Sequence, residues 1–193
     1  VFNTFLKSLH DYIASLIVSS APFADDQIRQ AEECIRFLTS DKNSFERSNT
    51  YGHFTGSSLI VDDVSKSVLL VHHKKYGKWV QPGGHCDGVT DPFFTAWQES
   101  YQEAGLRDIR PVAPWVIADI NIEMVPAYRD VPAHLHFDIR YVLRAGSCEK
   151  PVISDESNDV IWVPVAKLRE YTDEAPLIRL VERHFGVGST ERP

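Results

Sequence analysis

Pro82-Gly83-Gly84, Pro92 and Gly105 fall close together in this chain, and few folds accommodate all that they impose. Pro82-Gly83-Gly84 stops the short run Lys78-Trp79-Val80-Gln81, which reads as a brief strand. Pro92 lacks an amide hydrogen, a loss without cost in the first turn of a helix. Gly105 suits the left-handed residue that closes one. A helix over Pro92–Ala104 is the expectation, reached from a strand through a glycine loop.

The flanks supply more strands. Ser57–Val61 and Val68–His72 are β-branched runs joined by the polar stretch Asp62–Lys66, and they read as a hairpin. Further strands are expected at Trp115–Ile122, His134–Leu143 and Val160–Val163, with a closing helix over Glu174–Phe185 that ends at Gly186. Before Tyr51 the texture is helical. Phe2, Phe5, Leu6, Leu9, Ile13, Leu16 and Ile17 recur at helical spacing, Ser20-Ala21-Pro22 interrupts, and Ile28, Ala31, Ile35 and Leu38 continue in a second helix with Asp25 or Asp26 as its cap. Ser40–Thr50 is polar and reads as a linker. Strands with interspersed helices point to a mixed α/β sandwich. The expected division is a helical extension over residues 1–48 and a main domain over 49–193.

Composition narrows the partners. The 193 residues carry a formal net charge of −7, against a nucleic-acid polymer as ligand. No apolar run approaches the roughly 20 residues that span a bilayer, so no membrane partner is expected. Lys7, His10 and Asp11 interrupt the first segment, which does not read as a secretory signal. Cys34, Cys86 and Cys148 are odd in number and far apart, which fits neither a disulfide framework nor a paired metal site, and a reducing cytoplasm is the expected location.

On the expected helix Glu99 and Glu103 stand four apart and share a face. Two like charges at that spacing repel by a few tenths of a kcal/mol, roughly, and a bound cation reverses the sign. Hard ions such as Mg²⁺ take oxygen ligands and bind through one or two carboxylates plus substrate phosphates. A solvated helix face has the same spacing, so residues alone leave both readings open.

Gly83 to Leu106 resembles the Nudix box, G-x5-E-x7-R-E-U-x-E-E-x-G-U, with U a bulky apolar residue. Gly84 takes the first position, and Glu99, Glu103, Gly105 and Leu106 match in register. The strand Val68–Val71, the run Trp79-Val80-Gln81-Pro82-Gly83-Gly84 and the stretch Val160–Leu168 are also similar to that family, so the likeness covers about Tyr51 to Phe185. The resemblance implies an α/β/α sandwich with a mixed sheet. It implies hydrolysis of nucleoside diphosphates linked to another moiety, with Mg²⁺ or Mn²⁺. It marks Glu99, Gln102 and Glu103 as metal ligands together with the Gly83 carbonyl, or Glu99 instead as a base acting through water. Asp155, Glu156 and Asp159 are candidate bases in a later loop, or a solvated acidic turn.

Four positions depart from the pattern. Thr90 stands for Glu, Gln98 for Arg, Ser100 for an apolar residue and Gln102 for Glu. Gln98 cannot supply the charge that positions the acids, and Gln102 ligates only through a neutral carbonyl. Asp87 and Asp91 are candidates to replace the carboxylate missing at Thr90. Two functions follow: a metal-dependent hydrolase of a small-molecule diphosphate, or a ligand-binding or regulatory module with weakened turnover.

His134, His136, Asp138 and Arg140 alternate along one strand face. His134, His136 and Asp138, with His85, are either a transition-metal site or a hydrogen-bonded cleft lining. His72, His73, Lys74, Lys75 and Lys78 form the local basic cluster, in which His73, Lys74 and Lys78 are candidates for binding substrate phosphates, the alternative being a solvated hairpin end. The N-terminal helices would serve either to cover a cleft or to pair two copies in a homodimer.

Overall fold

The structure, a computed structural model, describes residues 2–19, 21–75, 77–146, 150–154 and 157–187. The chain forms two compact units, the first comprising Val1–Ser57, Gly83–Ala96 and Ala113–Tyr141, and the second Ser58–Pro82, Trp97–Val112 and Val142–Pro193. Three elements, β1 (Gly52–Asp62), α3 (Pro92–Ala104) and β7 (His134–Ala145), run from one unit into the other.

In the first unit lie α1 (Phe2–Ile17), α2 (Ala24–Ser40), β4 (Gly83–His85) and β6 (Asp119–Val125). β4 pairs antiparallel with β1 in the register Thr55↔His85, Gly56↔Gly84 and Ser57↔Gly83. β6 pairs antiparallel with β7 from Asp119↔Arg140 to Val125↔His134. β1 and β7 run in the same sense, because the Leu135 amide donates to the Tyr51 carbonyl while Thr55 and Ser57 reach Asp138 further on. The strands are therefore mixed. The core is aromatic: Phe5, Phe37, Phe45, Phe54 and Phe137 are all buried, and Phe37 stacks on Phe137 with centroids 4.2 Å apart. Offset ring stacks of this kind add stability beyond the area they bury.

In the second unit β2 (Ser67–His73) pairs antiparallel with the end of β1, with β3 (Trp79–Val80) and with β8 (Ser157–Pro164). β5 (Ile109–Pro111) pairs with the end of β7. A 3-10 turn, Val165–Lys167, leads to α4 (Leu168–Tyr171), and α5 (Ala175–Phe185) closes at the left-handed Gly186. Among the described residues no helix is long and apolar enough to cross a membrane.

Three local expectations are corrected. Ser40–Thr50 does link α2 to β1, but not as a wholly polar, solvated segment: Ser44 and Phe45 are buried, and the Ser44 carbonyl accepts from the Phe54 amide at 2.8 Å. Its polar residues are satisfied in tight turns, as where the Asp41 carboxylate accepts from the Asn43 amide. α2 begins one residue before Asp25 with Phe23 at the cap position and no capping side chain, so both carboxylates fall in the first turn, where they favour the helix dipole. β6 starts at Asp119 rather than Trp115, which has φ +59° and belongs to the loop before it.

Candidate functional site

α3 is defined at both ends by side-chain chemistry. Asp91 is its cap: one carboxylate oxygen accepts the Phe93 amide at 3.1 Å and the other accepts the Trp115 indole at 3.0 Å. Pro92 follows at the first helical position. At the other end Gly105 has φ +62°, and a Cβ there would meet the Val152 Cβ at 2.6 Å. Between them Glu103 is buried, 5% exposed, and Glu99 is half-buried. One helical turn separates the two, about 5–6 Å between Cβ atoms. Gln98 and Gln102 are exposed, as is Thr90 in the preceding loop. Ser100 is fully buried, with its hydroxyl 2.6 Å from that of Ser58.

Both acids proposed to stand in at Thr90 are committed elsewhere. Asp91 caps the helix, and the Asp87 carboxylate is paired with Arg47, whose guanidinium holds it below the usual carboxylate range. Burial pushes Asp91 above that range.

Histidines converge in the first unit. His53 on β1, His85 on β4 and His136 on β7 each offer a ring nitrogen, and these nitrogens all lie within 4.8 Å of one another. The His53 ring is 4.9 to 5.0 Å, centroid to centroid, from those of His85, His134 and His136. His53 is 2% exposed, and neither of its ring nitrogens has a hydrogen-bond partner of normal geometry. His134 Nε2 lies 3.2 Å from His136 Nε2, and His134 Nδ1 donates to the Pro132 carbonyl at 2.8 Å. Burial lowers His53, more than the nearby His134 does. Burial, then Arg47, brings His85 down to about 4, and burial, then His85, brings His136 down to about 3. These three imidazoles are neutral at pH 7.

Asp138 does not join them, although it shares their strand face. It accepts hydrogen bonds from Thr55 at 2.9 Å and Ser57 at 2.5 Å, and pairs with Arg140 at 2.7 Å. Sequence reasoning misses His53. The signal that would find it is the alternation His53, Thr55, Ser57, a polar face on β1 matching that of β7.

No family model matches this chain, and no curated protein matches it in sequence. Solved structures do match. A NUDIX-family hydrolase from Clostridium perfringens is 24% identical, with 67% of this chain and 94% of that one covered at a TM-score of 0.50. An Ap4A hydrolase from C. elegans is 16% identical over 69% of this chain and 95% of that one, with a TM-score of 0.51. The E. coli dihydroneopterin triphosphate pyrophosphohydrolase is 11% identical over 70% and 96%, with a TM-score of 0.53. The fold is that of the Nudix hydrolases.

In a Nudix fold the altered box positions divide by environment. Ser100 is a buried polar pair with Ser58 where the box has an apolar residue, so packing absorbs that change. Thr90, Gln98 and Gln102 are exposed, and no core contact explains them. Elsewhere on the chain the basic cluster is partly engaged. Lys78 pairs with Glu174 at 2.5 Å, His73 Nδ1 accepts the Lys75 amide at 3.1 Å, and Lys74 is exposed. Cys86 is buried and its thiol is pushed up to about 12 by that burial, which leaves it inert. Asp159 lies in β8 and accepts the Val160 amide, while Asp155, Glu156 and Cys148 lie outside the described residues.

Proposed function

We propose that this chain is a divalent-cation-dependent hydrolase that cleaves a diphosphate bond in a nucleoside diphosphate-type small molecule. The observation that carries this reading is α3, which holds Glu99 and Glu103 one turn apart on a Nudix fold. Two carboxylates at that spacing, one of them buried, are the oxygen donors a hard cation takes. Mg²⁺ or Mn²⁺ would be held by Glu99 and Glu103, with Gln102 as a neutral donor. When bound, such an ion neutralises diphosphate charge and acidifies a water. In its alternative role Glu99 would not ligate the ion but would take a proton from the water that attacks phosphorus, while the bridging P–O bond breaks and the departing phosphate keeps its electron pair. Glu103 serves as a ligand of the ion, and His73, Lys74 and Lys78 draw in substrate phosphates. The names of two structural neighbours, an Ap4A hydrolase and a dihydroneopterin triphosphate pyrophosphohydrolase, support the substrate class. The buried free thiols of Cys34 and Cys86 support a cytoplasmic setting.

A second reading is a ligand-binding or regulatory module, favoured by the neutral side chains at Thr90, Gln98 and Gln102. A panel of nucleoside diphosphate derivatives assayed with Mg²⁺ and Mn²⁺ separates the two. Turnover that falls at least about 100-fold in a folded Glu103→Gln variant supports the hydrolase. Saturable binding without turnover supports the module.

A further inference from the structure

We propose that His53, His85 and His136, with His134 beside them, form a binding site for one divalent transition-metal ion of the zinc class. The site does not depend on the carboxylates of α3. It is assembled by strand pairing, with β1 flanked by β4 and β7, and each strand contributes histidine from the same face.

Three observations distinguish a metal site from a hydrogen-bonded polar lining. A lining satisfies its polar atoms, yet neither ring nitrogen of the buried His53 has a hydrogen-bond partner of normal geometry, the Asn49 backbone offering it only a weak one. A buried ring nitrogen poorly paired in this way is unfavourable, and coordination would remove that cost. The second observation is a distance. Zinc binds imidazole nitrogen at about 2.0–2.1 Å in tetrahedral sites, so neighbouring donors stand roughly 3.3 Å apart. His134 Nε2 and His136 Nε2 are 3.2 Å apart. The three clustered nitrogens, within 4.8 Å of one another, need to draw in by roughly 1.5 Å at most to reach that edge. The third is orientation. His134 Nδ1 donates to the Pro132 carbonyl, which turns its Nε2 towards His136. Metal-binding histidines are usually held in this way, the far nitrogen donating to a carbonyl or carboxylate.

The donor set selects the ion. Imidazole nitrogens suit zinc, copper, iron and nickel, whereas Mg²⁺ requires oxygen. Asp138 is withheld from the site by Thr55, Ser57 and Arg140, which keeps the ligand set all-nitrogen.

The test uses the full chain stripped with chelator, then titrated separately with Zn²⁺ and Co²⁺. The expected result is one equivalent of Zn²⁺ by elemental analysis, a rise in melting temperature with Zn²⁺, and the visible absorption of tetrahedral Co²⁺. His136→Ala and His53→Ala should each weaken binding by at least about 100-fold, beyond the loss typical of an outer-shell change. His85 is half-buried, so His85→Gln, with circular dichroism as the folding control, should show the same loss even if the His53 variant does not fold. Glu103→Gln should retain Zn²⁺. Stoichiometric Zn²⁺ that survives in folded His136 and His85 variants, or disappears in Glu103→Gln, overturns the proposal. So does a folded parent that takes up no Zn²⁺ at micromolar concentration.

Discussion

The side chain of Gln27 and the backbone of Ile120 exchange two hydrogen bonds, each 2.9 Å long: Gln27 Nε2 donates to the Ile120 carbonyl, and the Ile120 amide donates to Gln27 Oε1. A helix side chain thus stands where a neighbouring strand would pair with β6. Gln30 repeats the device two residues on, its Oε1 accepting the Ile122 amide at 2.8 Å. Tyr12 on α1 donates to the same Gln27 oxygen at 2.7 Å, so both N-terminal helices protect this strand edge.

Replacing Gln27 by Ala should therefore destabilise the protein well beyond a surface change. Gln27 is fully buried, and its loss leaves the Ile120 amide and carbonyl unpaired. The expected loss is about 2–4 kcal/mol, read from urea denaturation midpoints. A loss below about 0.5 kcal/mol, the range of a surface substitution, would mean that β6 is satisfied without α2.

Asp138→Asn should be equally damaging for a different reason. The Asp138–Arg140 pair is buried, with side chains 8% and 7% exposed. Removing the carboxylate charge leaves the guanidinium uncompensated, at a cost of about 3–5 kcal/mol. Thermal melts of Asp138→Asn and of Asp138→Asn/Arg140→Met separate the two effects. The double variant should recover much of the loss, and an equally unstable double variant would place the damage at Thr55 and Ser57 instead.

Restoring the box with Thr90→Glu, Gln98→Arg and Gln102→Glu together should tighten Mg²⁺ binding. All three positions are exposed, so the substitutions meet no core. The new carboxylates add charge where there is now only a dipole, and Arg offsets their mutual repulsion. Residues sharing one network are non-additive, so each single change should help less than the triple. Calorimetric titration measures this, and equal or weaker binding in the triple variant would remove α3 as the cation site.

A pH effect should come from Asp63. Burial raises its carboxyl, but the hydrogen bonds from His184 and Arg144 together outweigh it and hold the group below its usual value. A depressed carboxylate contributes stability above its unfolded pKa, and that contribution is lost as pH falls through the folded value. Asp63→Asn should cost about 0.5–1 kcal/mol at pH 7, since the pair is partly exposed, and progressively less as pH falls below the ordinary carboxylate range. A series of denaturation midpoints from pH 7 downward would show the two proteins converging in acid, and a gap that does not narrow as pH falls would count against this assignment.

Local chemistry made α3 legible in the sequence. Pro92 at the first position and Gly105 at the end each act through their own backbone, and Pro92–Ala104 is the helix observed. The closing helix was legible for the same reason, as Gly186 supplies the left-handed stop. The Glu99 and Glu103 pairing on one helix also follows from spacing alone. The edges of the strands did not. β1 extends back to Gly52, because partners on both sides order residues that carry no strand signal of their own.

Residues whose surroundings are made by distant segments were decided only by the tertiary structure. Asp91 reads along the chain as a spare acid and is a helix cap bound to Trp115, 24 residues away. His53 is a lone histidine in the sequence, and Gln27 one polar residue among several on an amphipathic helix. The one enters a histidine cluster and the other becomes a strand partner through β1, β4, β6 and β7, which the chain brings together across about 30 to 90 residues. Backbone preference acts over a few residues and can be read along the chain. Burial and hydrogen-bond satisfaction are set by whichever segments pack against each other, and only the folded arrangement specifies those neighbours.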